Sequence, residues 1–277
     1  MTDDNNDNNN NFNDLEWVVS EEINKCDGCS GSCFLKELIE EQRKGLITEE
    51  EIVERLKEYY GEEWSICTKN GVLKNKLNIK NEEKLKLAES DIVITRIHEY
   101  FSNMSFSPTK EFYLSLHKHL FGDIYPFAGE IRTINIEKQE RVLAWDSVKY
   151  VSYDKINDEL DATFEILSHT DFLSLDIEMQ KDFLTSLISD LWGIHAFREG
   201  NTRTVLVFLR GYLNSYGINF NINFFKNSNT YQYARDALVA SYFESAILGI
   251  TRNYTYLRKL IGDIIEEDLE RKRNIWN

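Results

Sequence analysis

The sequence predicts an all-α protein that carries one β-hairpin. Three observations support this: two prolines in 277 residues, apolar residues recurring at helical spacing through most of the chain, and a single stretch of period-two alternation. With 42% hydrophobic and 13% aromatic residues, the chain can bury a sizeable core and is not disordered as a whole.

Residues 1–13 are low-complexity Asp/Asn and are expected to be disordered. Residues 14–64 form an acidic helical extension. In it Phe34, Leu35, Leu38 and Ile39 share a helical face, and Arg43-Lys44-Gly45 supplies the charge and glycine that helix C-termini favour. Thr48 and Glu51 make a capping box that opens a second helix through Ile52, Leu56, Tyr59 and Tyr60. A lysine-rich, polar stretch at 65–81 reads as a linker, and the main domain is expected over 82–277.

In that domain Leu87, Ile94, Ile97 and Phe101 share a face. Ser107-Pro108 starts a helix that Gly122 ends, and Ile156, Leu160, Phe164 and Leu167 mark the next. Phe183, Leu184, Leu187, Ile188, Leu191 and Trp192 are apolar over most of a helix surface, so this helix should be central. Val205–Tyr216 follows, stopped by Gly217, and Leu257, Leu260, Ile261 and Ile264 belong to a last helix. The hairpin is expected to run out along Ile131–Ile136, turn at Glu137–Glu140 and return along Arg141–Ala144.

The net charge of -15 excludes a general nucleic-acid binder, which needs a basic footprint. Residues 1–64 hold 18 acidic and 6 basic side chains, so the acidity is concentrated in the extension. No apolar run approaches the ~20 residues that cross a bilayer, and the N-terminus is unlike a signal peptide, so no membrane partner is expected. Cytoplasmic residence is the expectation at synthesis, with delivery into a host cell as an effector left open. Cys26, Cys29 and Cys33 with the distant Cys67 suit packed or exposed thiols better than a zinc knuckle, which needs four ligands. Of the histidines outside the loop discussed next, His117 and His119 are expected in the core and His98 and His169 at the surface.

The chemistry gathers in His195-Ala-Phe-Arg-Glu-Gly-Asn-Thr-Arg-Thr204, between two apolar helices. Its end is the N-terminus of a buried helix, where backbone N–H groups lack intrahelical partners and the helix dipole favours an anion. Gly200 lets the backbone approach a ligand, and Arg203 adds a planar cation suited to phosphate. Glu199 is out of place beside phosphate unless Mg²⁺ lies between them. His195 is the group whose ordinary pKa suits a general base near neutral pH. Phe197 should anchor the loop inward. The competing reading is an ordinary mixed-charge interhelical loop with a hydrogen-bonded histidine.

The order of these residues resembles the signature of the Fic (fido) family, H-x-F-x-[D/E]-G-N-G-R-x-x-R. Leu116–Arg132 resembles the family's second block, which leads into a flap hairpin. The resemblance covers roughly residues 82–262 and implies a fido-type helical domain. It also implies Mg²⁺-dependent transfer of AMP from ATP to a Ser, Thr or Tyr hydroxyl of a target protein. By position, His195 would be the base, Glu199 would hold Mg²⁺, and Asn201 with Gly200, Thr202 and the loop amides would seat the α-phosphate. Arg203 would bind the outer phosphates. Thr133, Ile134, Asn135 and Ile136 would form the flap strand that receives the target by strand addition. Alternatives are transfer of phosphate or another nucleotide on the same scaffold, or a catalytically weak nucleotide- or protein-binding module. Ala196 replaces a proline, Thr202 replaces the second glycine and Leu206 replaces the last arginine, with Arg210 one turn further on. No [S/T]-x-x-x-E-[G/N] inhibitory motif of the family occurs in the chain. The sequence names neither the target nor the oligomeric state.

Overall fold

The computed structural model describes residues 5–60, 72–103, 105–219 and 230–276. Its elements are α1 (Asn5–Lys25), α2 (Cys33–Arg43), α3 (Glu49–Tyr60), α4 (Glu82–Asn103), α5 (Lys110–Phe121), β1 (Glu137–Gln139), β2 (Ser147–Lys149), α6 (Ile156–His169), α7 (Ile177–Ile194), α8 (Asn201–Ser215), α9 (Thr230–Tyr242) and α10 (Thr255–Trp276). The chain divides into two compact units, Met1–Ser105 with Ser115–Gly129, and Phe106–Leu114 with Glu130–Asn277.

In the first unit α1 and α3 pack on α4, and α2 packs on α3. Trp17, Ile23, Leu35, Leu38, Ile52, Val53, Leu56, Ile92, Val93 and Ile97 are buried between them. Asp91 of α4 is fully buried and accepts from the Ser32 amide (2.6 Å), the Ser32 hydroxyl and the Tyr60 hydroxyl (2.6 Å). Ser32 caps α2 by accepting from Leu35 N at 3.0 Å, so one carboxylate ties the start of α2 and the end of α3 to α4. Burial pushes the Asp91 carboxyl up from the usual range, and the hydroxyl and amide donors offset part of that.

The two caps expected from sequence are present. Thr48 and Glu51 exchange bonds of 2.8 and 3.3 Å, and Gly45 stands at φ +69 after α2. Cys26 and Cys29 are buried thiols that donate to the Glu22 and Asp27 carbonyls, both at 3.6 Å, and Cys33 is exposed, while Cys67 lies outside the described residues.

Three expectations need correction. Helix α1 begins at Asn5, so it runs through most of the segment expected to be an irregular tail. Helix α4 belongs with α1–α3, so the compact units do not divide at residues 65–81. His98 is fully buried rather than at the surface. Its ring stacks on Trp17 with centroids 3.9 Å apart, and its Nδ1 lies 3.4 Å from Glu49, partners that sequence spacing cannot reveal.

In the second unit α7 touches α6, α8, α9 and α10, the central position its all-round apolar surface predicts. Gly193 is required there, because a Cβ would stand 1.9 Å from the Tyr242 ring of α9. Helix α8 is buried along almost its whole length, from Asn201 to Leu213.

The hairpin sits six residues beyond its expected position. β1 and β2 pair antiparallel, with Glu137 opposite Lys149 and Gln139 opposite Ser147. Residues 131–136 are irregular, Glu137–Gln139 form a strand rather than a turn, and Arg141–Leu143 form a 3₁₀ turn. The alternation in Ile131–Ile136 is real, but a strand needs a ladder partner. Here side chains take that role: Arg132 donates to the Ile134 carbonyl (2.6 Å), and the Asn135 carboxamide oxygen accepts from Tyr153 N (2.9 Å).

Deleting residues 1–64 removes α1–α3 and strips the cover from Ile92, Val93 and Ile97, each of which loses roughly 1.5–3 kcal/mol of burial. The truncated chain is expected to aggregate or to melt well below the full chain. A scan showing an unchanged melting temperature would contradict this packing.

Candidate active site

Helix α7 ends at Ile194, and His195 follows in the left-handed conformation (φ 49, ψ 55), which turns the chain sharply. Its Nδ1 lies 3.0 Å from the Trp192 carbonyl. A carbonyl can only accept, so Nδ1 carries the proton and Nε2 carries the lone pair. Nε2 is buried with no hydrogen-bond partner among the described residues, and the residue is 1% exposed. One ring face stacks on Tyr150, just past β2, with centroids 3.6 Å apart and planes at 13°. Burial holds the imidazole pKa well below the usual 6.5; Lys138, Arg235 and Arg132 push the same way, and the Trp192 carbonyl opposes them. The site therefore contains a neutral imidazole with a defined tautomer and an unused acceptor.

The loop after it is braced from within. The Asn201 side chain accepts from Phe197 N (2.9 Å) and donates to Phe197 O (2.8 Å), so it pairs with one residue's main chain as a strand neighbour would. The amide thus braces the loop and keeps its second N–H for a ligand. Phe197 is fully buried and packs on Tyr113 at 5.5 Å, as expected of an anchor. Arg132 Nε donates to the His195 carbonyl (2.8 Å), and the Arg132 amide donates to Ala196 O (2.9 Å), joining the loop to the base of the hairpin.

Gly200 stands at φ +79 and opens α8, whose first bond closes from Thr204 N to Gly200 O at 3.0 Å. A side chain there would be strained. Glu199 Oε1 accepts from Gly200 N (3.0 Å) and faces Lys138 Nζ of β1 at 3.3 Å. Thr202 is buried, and its hydroxyl accepts from Trp192 Nε1 at 3.1 Å and from Arg235 of α9. Arg203, Leu206 and Arg210 are all buried along α8, so Arg203 is withdrawn from solvent rather than presented to it. Thr133, Ile134 and Asn135 are exposed and Ile136 is half-exposed, ahead of the strand they were expected to form.

The structure thus brings His195, Glu199, Gly200, Asn201, Thr202 and Arg203 into one loop and helix start, as the sequence predicts. It adds Arg132, Lys138, Glu140, Tyr150, Trp192 and Arg235, which sequence spacing does not bring to the site. Arg132 and Trp192 lay inside the segments already singled out; Glu140 and Arg235, 95 residues apart, carried no local signal. Among the described residues no group of three or more His, Cys, Asp or Glu side chains could hold a metal ion on its own.

The unit is thus built on a central α7–α8 pair, with this loop between the two helices and a hairpin beside it. The Fic/DOC family model matches residues 107–213. A protein named probable protein adenylyltransferase y4lH, from Sinorhizobium fredii, is 32% identical over 143 residues, covering 50% of this chain and 68% of that protein. The chain belongs to the Fic/DOC family. It is also 30% identical over 141 residues to protein adenylyltransferase VbhT of Bartonella schoenbuchensis, of which the match spans 28%. Among solved structures it resembles the BepC protein of Bartonella tribocorum with bound AMPPNP, with TM-score 0.57 and 17% identity over 72% of this chain and 94% of that one. It also resembles the N-terminal Fic domain of a VirB-translocated Bep effector protein of Bartonella quintana with bound ADP. There the TM-score is 0.58 and the identity 19%, over 71% of this chain and 92% of that one. These two likenesses concern the fold.

Asn201→Ala removes both bonds to Phe197 and is expected to cost about 1–3 kcal/mol for each backbone group left unpaired. Urea denaturation measures it; an unchanged midpoint would mean that the amide does not hold the loop.

Proposed function

We propose that the protein transfers AMP from ATP to a Ser, Thr or Tyr hydroxyl of a target protein. The observation that carries this reading is the buried Nε2 of a neutral His195, without a partner among the described residues, in the loop that leads into a helix whose N–H groups favour an anion. Membership in the family, and relatives named as adenylyltransferases, supply the reaction class.

In the proposed step the target hydroxyl oxygen attacks the α-phosphorus. The new O–P bond forms as the bond from the α-phosphorus to the α,β-bridging oxygen breaks, and pyrophosphate leaves. The hydroxyl proton passes to Nε2, while Nδ1–H on the Trp192 carbonyl keeps the ring oriented. Gly200 admits the phosphates to the backbone, and Lys138, Arg132 and Arg235 give a net acidic protein a locally cationic site.

Glu199 fits Mg²⁺, because a single carboxylate at the edge of a phosphate site is how Mg²⁺ is held together with substrate phosphates. When bound, Mg²⁺ would neutralise charge on the departing pyrophosphate. Glu199 would exchange its Lys138 partner for it. The target is proposed to lie along the exposed Thr133–Asn135 and Ile136 and to meet the free edge of the hairpin. No helix of the described residues is long and apolar enough to cross a membrane.

His195→Ala is expected to lower transfer by a factor of about a hundred or more with nucleotide binding intact. Near wild-type turnover would overturn the mechanism. ATP labelled at the α- or γ-phosphate, incubated with lysate, separates the reaction classes: α-label on protein supports AMP transfer, and γ-label would replace it with phosphate transfer.

Because the active form of His195 is neutral and its pKa is depressed, the base should stay competent as pH falls below 6.5. The acid limb of kcat/KM is thus expected below pH 6.5, and a limb at or above that value would contradict the burial argument. Glu199→Gln should weaken nucleotide binding in Mg²⁺ and hardly change it in EDTA, as read by calorimetry; equal losses would make Glu199 structural.

A further inference from the structure

The hairpin turn is clasped to α9 by two neighbouring ion pairs of opposite polarity. Glu140 faces Arg235, with Nη2 to Oε1 at 2.5 Å and Nε to Oε2 at 3.3 Å. Arg141 faces Asp236 at 2.6 Å. The second pair is solvent-exposed and weak by the usual standard of surface pairs. The first is withdrawn, with side chains 17% and 9% exposed, and both carboxylate oxygens lie on one guanidinium fork.

Arg235 also reaches the candidate active site. Its Nη1 donates to the Thr202 hydroxyl in the first turn of α8, and its Cζ lies 5.4 Å from the centroid of the Trp192 ring. That ring stands edge-on to His195 at 5.6 Å. One turn further along α8 the side chain is the buried, aliphatic Leu206, so the cation at this corner comes from α9. A fork that holds a carboxylate through two N–H groups fits two phosphate oxygens equally well. Glu140 itself is fixed in the hairpin turn by backbone bonds to Asp146, Leu143 and Trp145 of 3.0–3.1 Å. With its backbone held, the Glu140 carboxylate leaves Arg235 by rotation of its own side chain or by movement of the hairpin turn.

We propose that Arg235 is a polyphosphate-binding residue of this site, and that Glu140 is a carboxylate plug on its guanidinium that an incoming phosphate displaces. The proposal rests on the reading of the site as one for a nucleotide. It makes the hairpin a gate on phosphate binding as well as a surface for the target. No bond is made or broken: one anion exchanges for another on the same two N–H groups.

The test uses the full chain in 0.15 M salt, with inorganic tripolyphosphate, ATP and AMP as calorimetric probes. Glu140→Gln is expected to tighten tripolyphosphate and ATP by about ten-fold or more, and Arg235→Ala to weaken both by about as much, the scale of one charge-assisted pair. AMP, with a single phosphate, should change little with either. In the Arg235→Ala background Glu140→Gln should do nothing, because the plug then has no fork to block. Glu137→Gln, exposed on the same hairpin, controls for the general loss of one negative charge and should leave all affinities unchanged. If Arg235→Ala does not fold, Arg235→Lys keeps the charge but not the fork and is expected to lose most of the binding.

The proposal is overturned if Glu140→Gln leaves tripolyphosphate affinity unchanged or weaker, or tightens it equally without Arg235. Tripolyphosphate binding in the expected pattern without AMP transfer would uphold the plug and overturn the transfer reading. AMP transfer without the pattern would overturn the plug alone, and no binding of any probe would overturn both.

Discussion

A guanidinium carries five N–H donors in one plane, and Arg132 directs its donors to the carbonyls of Ile134, Val151, Ile194 and His195. These carbonyls come from the segment entering the hairpin, the segment leaving it and the end of α7. The residue is 4% exposed, so those four dipoles replace the water that would otherwise solvate the charge. Separating the hairpin base from the histidine loop would strand a buried cation. Tyr150 keeps its place on the imidazole, and Lys138 its place by Glu199, because the backbone that carries them is held there.

The same arrangement sets the electrostatics. An acidic chain keeps three cations, Lys138, Arg235 and Arg132, close enough to His195 to oppose its protonation, and burial does the rest. These charges have two effects of the same sign: they disfavour imidazolium and favour an anion. A polyphosphate bound among them would cancel part of their field and raise the basicity of Nε2, so the base would strengthen as substrate arrives.

Much of this was legible in the sequence where the cause is local. The Thr48/Glu51 capping box, the Lys44-Gly45 stop and the all-round apolar α7 depend on residues within one or two turns, and each is present. The His195–Thr204 loop was legible for the same reason, since its residues are neighbours in the chain and the glycine and the helix start impose its shape. The hairpin was misplaced because period-two alternation marks a two-faced segment without naming its partner. The brace that Asn201 makes to Phe197 was not legible, because a carboxamide next to a helix start can bond a ligand or the loop, and the nearness of Phe197's main chain is set by the fold.

The sequence by itself determined the helical class, the family, and the identity and spacing of the residues at the loop, because backbone geometry and helix-end chemistry act over a few residues. Tertiary structure alone decided the state of those residues. It removed water from His195, set Tyr150 on its face and buried Arg203. It also brought Arg235 to Thr202 from 33 residues away and to Glu140 from 95. Desolvation and charge pairing depend on distance in space, and a chain that folds back on itself makes that distance independent of position in the sequence.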